Sequence, residues 1–170
     1  NTASCTFTVT VQDTTAPAVT CPASLVVEAT SAAGAIATYS SAAATDAVTA
    51  SPTIGYSQLS GSVFALGNTT VTVTATDTAG NASNCSFTVT VQDTIAPVAS
   101  CPANVTAEAT SAAGAVVTFP AATATDAVTA SPVIGYSQAS GTTFPLGTTT
   151  VTASATDAYG NTATGRFTVT

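Results

Sequence analysis

Hydrophobic and polar residues alternate along much of this chain. In "CSFTVTVQ" (residues 85–92), Phe87, Val89 and Val91 alternate with Thr88 and Thr90. A period of two is the mark of a strand with one buried face. "TTVTVTATD" (69–77) and "GSVFALG" (61–67) read the same way, with turns rich in Gly, Pro and Asn between such runs. No segment carries a helical period over a useful length. Thr and Val are stiff at χ1 and favour the pleated backbone.

The pattern also repeats. Shifted by 80 residues, the stretch that opens at Cys21 with "CPASLVVEATSAAGA" falls on "CPANVTAEATSAAGA" from Cys101, and the match continues through "ATDTAGN" and "ATDAYGN". The opening "NTASCTFTVTVQDT" matches "NASNCSFTVTVQDT" in the same register. A period of this length means tandem domains rather than a solenoid. The sequence therefore predicts an all-β chain: an N-terminal β-strand at 1–12, then two immunoglobulin-like sandwiches at 13–92 and 93–170. The N-terminal strand reads as the last strand of a preceding unit, or as a donor to a neighbour. Six or seven short strands per repeat fit a two-sheet sandwich. Ala is common and large residues are few, so the core is expected to be thin.

Composition narrows the partners. Charged residues make up 5% of the chain, against about 25% in an average protein. Arg166 is the single basic side chain, and there is no Lys or His. One Arg cannot form the basic patch that nucleic acid requires. No apolar run reaches the ~18 residues of a membrane span. The formal net charge of −7 points to cations instead.

The ordered motifs "DTTAP", "CP", "TATDAV", "FALG", "ATDTAGN" and "CSFTVTVQD" resemble the hyalin repeat (HYR) domain family, over essentially the whole chain. The resemblance implies an extracellular, immunoglobulin-like module of adhesive and matrix-type proteins. Many members of that family carry a second cysteine pair in the middle strands. "IGYSQ" and "VTVTATD" contain none, so that bridge is absent here.

The four cysteines are Cys5, Cys21, Cys85 and Cys101. Pairing Cys5 with Cys21, or Cys85 with Cys101, is rejected. A strand of roughly eight residues carries the chain ~25 Å between them, and disulfide Cα atoms lie within about 7 Å. The first and last strands of a sandwich run side by side, which predicts Cys21–Cys85 within the first domain. Closing so long a loop stabilises by roughly 4 kcal/mol on the chain-entropy model. A bridge of this kind implies an oxidising, extracellular or cell-surface setting. In the second repeat Gly165 stands where Cys85 stands in the first, so Cys101 has no domain partner. Two readings stand for the remaining pair. Either Cys5 of one molecule bridges Cys101 of the next, with the N-terminal strand added to the neighbour's sheet. Or the chain belongs to a longer array in which Cys5 pairs upstream and Cys101 is free.

All eight carboxylates form matched pairs: Asp13/Asp93, Glu28/Glu108, Asp46/Asp126 and Asp77/Asp157. Other positions differ freely between the copies, as in Tyr39/Phe119 and Ala79/Tyr159. In a sandwich the lead-in segment, the B–C loop and the F–G hairpin share one pole. Asp93, Asp126 and Asp157 should therefore gather in the second domain, and Asp13, Asp46 and Asp77 in the first. Glu28 is expected to face the junction from the other side, with Glu108 its counterpart. Such a crowd without Lys or Arg needs protons or a cation. Hard oxygen ligands suit Ca²⁺. Zinc and copper are disfavoured without His. Asn81 and Asn161 read as neutral ligands or turn formers. The competing reading is that each Asp simply caps a turn, as "D-x-x-G-N" often does.

No base, nucleophile or phosphate-binding loop is recognisable, so an enzyme is not expected. Two functions remain. One is a structural building block of an extracellular fibre or cell-surface stalk, stiffened by Ca²⁺ at domain junctions and by disulfides, joined end to end with copies of itself. The other is an adhesin segment whose loops bind a glycan or a protein. Exposed aromatic anchors for the second are few: Tyr56, Tyr136 and Tyr159, the first two in predicted strands. Asn68, Asn81, Asn84 and Asn104 sit in glycosylation sequons.

Overall fold

The computed structural model describes residues Asn1–Thr170 and contains strands, turns and no helix. Contacts divide it into two compact units, residues 1–27 with 36–90 and residues 28–35 with 91–170. The first repeat holds eight strands: β1 (Ala18–Thr20), β2 (Leu25–Glu28), β3 (Ala35–Ile36), β4 (Ala43–Thr45), β5 (Thr53–Tyr56), β6 (Val63–Phe64), β7 (Gly67–Thr76) and β8 (Ala82–Gln92). The second holds seven: β9 (Val98–Ser100), β10 (Ala115–Val117), β11 (Thr123–Thr125), β12 (Val133–Tyr136), β13 (Thr142–Phe144), β14 (Thr149–Thr156) and β15 (Thr162–Val169).

One sheet of the first repeat runs β2-β8-β7-β5, with β1-β4 and β3-β6 as two-stranded pieces. The second repeat has β12-β14-β15, β11-β9 and β10-β13. In place of a β2 counterpart it has a single parallel bridge, Val105 to Val169. That contact is extended by Val105 N–H to the Thr168 carbonyl and Ala107 N–H to the Thr170 carbonyl, both at 2.8 Å. The longest pairing is β14 with β15, antiparallel from Thr149↔Val169 to Thr156↔Thr162.

The alternation read from the sequence is what the burial shows. Val71, Val73 and Ala75 of β7 and Phe87, Val89 and Val91 of β8 are buried, while Thr72, Ser86 and other intervening residues face outward. An aromatic centre completes each core. Tyr39 packs on Tyr56, Phe64 and Phe87 with ring centroids 5.7, 6.4 and 4.8 Å away. Phe119 packs on Tyr136, Phe144 and Phe167 at 5.5, 6.3 and 4.8 Å. Tyr56 and Tyr136 each accept a backbone N–H through their hydroxyls, from Ala42 and Ala122 at 2.7 and 2.6 Å. Aromatic rings and Val thus supply a core that Ala leaves thin, as expected.

Cys21 and Cys85 form the disulfide, with Cα atoms 5.8 Å apart. Cys5 is exposed and free, and Cys101 is free and half-buried. The N-terminal segment departs from expectation. Residues 1–17 form no strand, although their alternation matches β8. Strand geometry needs a hydrogen-bonding neighbour, and residues 1–12 pair with no strand of the chain, leaving Phe7, Val9 and Val11 exposed.

Candidate metal centre

Each carboxylate triad is built from three separate turns. Asp46 follows β4 and Asp126 follows β11, each as the first residue of the same turn. Asp46 Oδ1 accepts N–H bonds from Val48 and Thr49 at 3.0 and 2.7 Å. Asp126 Oδ1 accepts from Val128 and Thr129 at 2.8 and 2.7 Å. "DAVT" is thus an Asx turn in both copies. Asp77 and Asp157 open the β7–β8 and β14–β15 hairpins. Their Oδ1 atoms accept the N–H of Asn81 and Asn161, both at 2.8 Å, and their Oδ2 atoms the side-chain amides of the same residues, both at 2.7 Å. Asp13 and Asp93 arrive in the lead-in segment. Asp13 Oδ1 accepts from Thr15 N–H at 3.1 Å and Asp93 Oδ1 from Ile95 N–H at 3.2 Å.

The turns bring Asp13, Asp46 and Asp77 together, and separately Asp93, Asp126 and Asp157. Within each group one carboxylate oxygen per residue lies within 4.8 Å of the others. Asp77, Asp93 and Asp157 are buried, the last two with 7% and 6% of their surface exposed. Asp13 Oδ2 and Asp93 Oδ2 are buried and meet no hydrogen-bond donor. The only cationic side chain, Arg166, is exposed on β15 at the Thr152 register.

The electrostatics follow from this. Burial pushes the Asp93 carboxyl above the ordinary Asp value. The Ile95 N–H opposes that, while the nearby charges of Asp126, Asp157 and Glu28 reinforce it. Burial also works against ionised Asp157, yet its hydrogen bonds from Asn161, Tyr159 and Gly160 hold it below the ordinary value. The N–H groups of Thr49 and Val48 hold Asp46 low as well. Each triad therefore has one carboxyl held low by its hydrogen bonds, Asp46 in the first and Asp157 in the second. In the second triad Asp157 stands with Asp93, whose buried Oδ2 meets no donor.

Glu28 and Glu108 stand outside both triads. Within the second compact unit, Glu28 spends its two oxygens on Thr94, accepting its N–H and its hydroxyl at 2.7 Å each. Those bonds hold its carboxyl below the usual range. Glu108 is exposed. Asn81 and Asn161 act as brackets, since their side-chain amides also donate to the carbonyls of Asp13 and Asp93 at 3.2 and 3.1 Å. Asn81 therefore belongs to the turn although it lies in a sequon. Asn68 and Asn104 accept hydrogen bonds from Thr90 and Thr168, and Asn84 is exposed. Thr49 and Thr129 went unsignalled as site residues. Their hydroxyls accept the N–H of Thr78 and Ala158 at 3.2 and 3.1 Å and tie the Asx turn to the hairpin. The repeated Asp-x-x-Thr spacing is the signal that could have found them.

The HYR domain family model matches residues 12–91 and again 92–170. The chain belongs to the HYR domain family. HYR domains are non-enzymatic repeats of extracellular and cell-surface proteins, and the family points to a structural or adhesive role. A search of the curated proteins found no match to the chain. As a HYR protein it has two copies of the same acidic arrangement, one per family match.

Proposed function

We propose that this chain is a structural module of an extracellular fibre or cell-surface stalk, and that each repeat binds Ca²⁺ in its Asp triad. The observation that carries the reading is the buried Asp93 Oδ2, which has no donor, in a triad with no cationic side chain to neutralise it. A buried charge without a partner is costly, and a bound cation removes the cost. The donors are all hard oxygens. Oxygen atoms up to 4.8 Å apart suit one ion, since that is twice a Ca–O distance of about 2.4 Å. Mg²⁺ asks for about 2.1 Å and a strict octahedron, which three turns of unequal make-up support less well. The ion would fasten the lead-in segment to two loops of its own repeat and so stiffen that repeat.

The structural role is favoured over ligand capture by the surface. Of the aromatic residues within the two sandwiches, Tyr159 is the one that stands exposed, and recognition surfaces lean on such anchors.

The test is calorimetric unfolding with Ca²⁺ and with EDTA, on the wild type and on Asp93→Asn. Ca²⁺ at about a hundred times its Kd adds about 2.7 kcal/mol, or roughly 11–22 °C in the melting temperature of a domain this size. Asp93→Asn should melt higher than wild type in EDTA and lose the second repeat's response to Ca²⁺. An unchanged melting temperature at millimolar Ca²⁺ would reduce the triads to turn chemistry.

A further inference from the structure

The N-terminal segment is a closer copy of β8 than β15 is. Aligned without gaps, Asn1–Thr10 matches Asn161–Thr170 at seven of ten positions; Ser4, Cys5 and Thr6 face Thr164, Gly165 and Arg166. The second repeat carries a defect along this line. A Cβ placed on Gly165 would lie 2.4 Å from Cys101 Sγ, so the Cys101 thiol fills the place where its partner stands in the first repeat. In the register that sets Cys5 on Gly165, Phe7 and Val9 replace Phe167 and Val169. Phe7, Val9 and Val11 are 87, 72 and 93% exposed, a one-sided apolar stripe without a cover.

We infer that the N-terminal segment of one molecule replaces β15 in the second repeat of another copy of this chain, and that a Cys5–Cys101 disulfide locks the exchange. One register repairs this defect and buries Phe7 and Val9. The bond forms by oxidation of two thiols. Cys5–SH and Cys101–SH lose two protons and two electrons to a small disulfide, RSSR, which leaves as two RSH. The inference rests on the structural reading of the chain but makes no use of the Asp triads, so EDTA should not affect it.

The chain incubated in a glutathione redox buffer should give a reductant-sensitive ladder on a non-reducing gel. Peptide mass spectrometry should find Cys5 joined to Cys101. Amide exchange in β15 should be faster in the multimer than in the monomer, with β14 still protected. Cys5→Ser or Cys101→Ser should abolish the ladder, and Gly165→Cys should do so by giving Cys101 a partner in its own repeat. Val9→Asp, a change at an exposed side chain of the N-terminal segment, should slow the ladder about tenfold. A monomer with two titratable thiols, a closed monomer, Cys5–Cys5 or Cys101–Cys101 bridges, or a β15 still protected in the multimer would each overturn the inference.

Discussion

Asn161 donates its side-chain amide both to Asp157 Oδ2, at 2.7 Å, and to the main-chain carbonyl of Asp93, 68 residues earlier, at 3.1 Å. A hairpin turn and the lead-in segment are thereby held as one piece. Asn81 does the same for Asp77 and Asp13.

Replacing Asn161 by Ala should strip one hydrogen bond from a buried carboxylate and one from a carbonyl. Bonds to charged groups are worth about 1.5–3 kcal/mol and neutral ones about 1. The second repeat should lose about 2–3 kcal/mol, read as a lower urea midpoint at unchanged slope. The first repeat should be unaffected, and Asn81→Ala should reverse the pattern.

The two repeats should respond differently to reductant. Cys21–Cys85 closes a loop across 64 residues, a constraint worth about 4 kcal/mol on the chain-entropy model. Gly165 leaves the second repeat without a counterpart. Dithiothreitol should lower the calorimetric transition of the first repeat and leave that of the second in place.

Alkali should also separate them. The Tyr39 hydroxyl donates to the Gln58 carbonyl, and burial, with Tyr56 beside it, raises its pKa above the ordinary value of 10.0. A raised folded-state pKa gives stability that is complete below the unfolded value and is lost as pH climbs through the folded one. The first repeat should weaken above about pH 10, where Tyr39 must ionise. The second has Phe119 at that place and lacks this loss. Tyr39→Phe should cost about 1 kcal/mol at neutral pH and flatten the alkaline decline, as seen in urea titrations across pH.

Gly114 sets the sharpest steric limit. Its φ is +107°, and an added Cβ would stand 1.8 Å from the Phe144 carbonyl oxygen. Backbone cannot yield as a flexible side chain can. Gly114→Ala should cost more than about 4 kcal/mol, well beyond an ordinary substitution. Loss of dispersed amide signals from the second repeat would show it.

Much of this was legible in the residues. Val and Phe at every second position marked β7 and β8, and the 80-residue shift marked the two repeats. The same shift isolated the six Asp residues, and sandwich topology was enough to gather them in threes. The N-terminal segment has the same alternation and forms no strand within the chain, because alternation reports a willingness to pair and says nothing of whether an edge is there. Glu28 looked equivalent to the Asp residues because charge was scarce. Its preference for Thr94 depends on where that hydroxyl lies, which no spacing encodes. Asn81 was obscured by overlapping signals, one residue serving a sequon, a turn and a bracket.

The parallel bridge between Val105 and Val169 bears on how the second repeat carries load. Two parallel strands at the start and end of a domain are drawn in opposite senses when the chain is pulled taut. Val105 N–H to Thr168, Thr170 N–H to Val105 and Ala107 N–H to Thr170, at 2.8, 2.9 and 2.8 Å, are then strained together in shear. An antiparallel end would peel one bond at a time under the same force. Tension on this repeat meets all three at once.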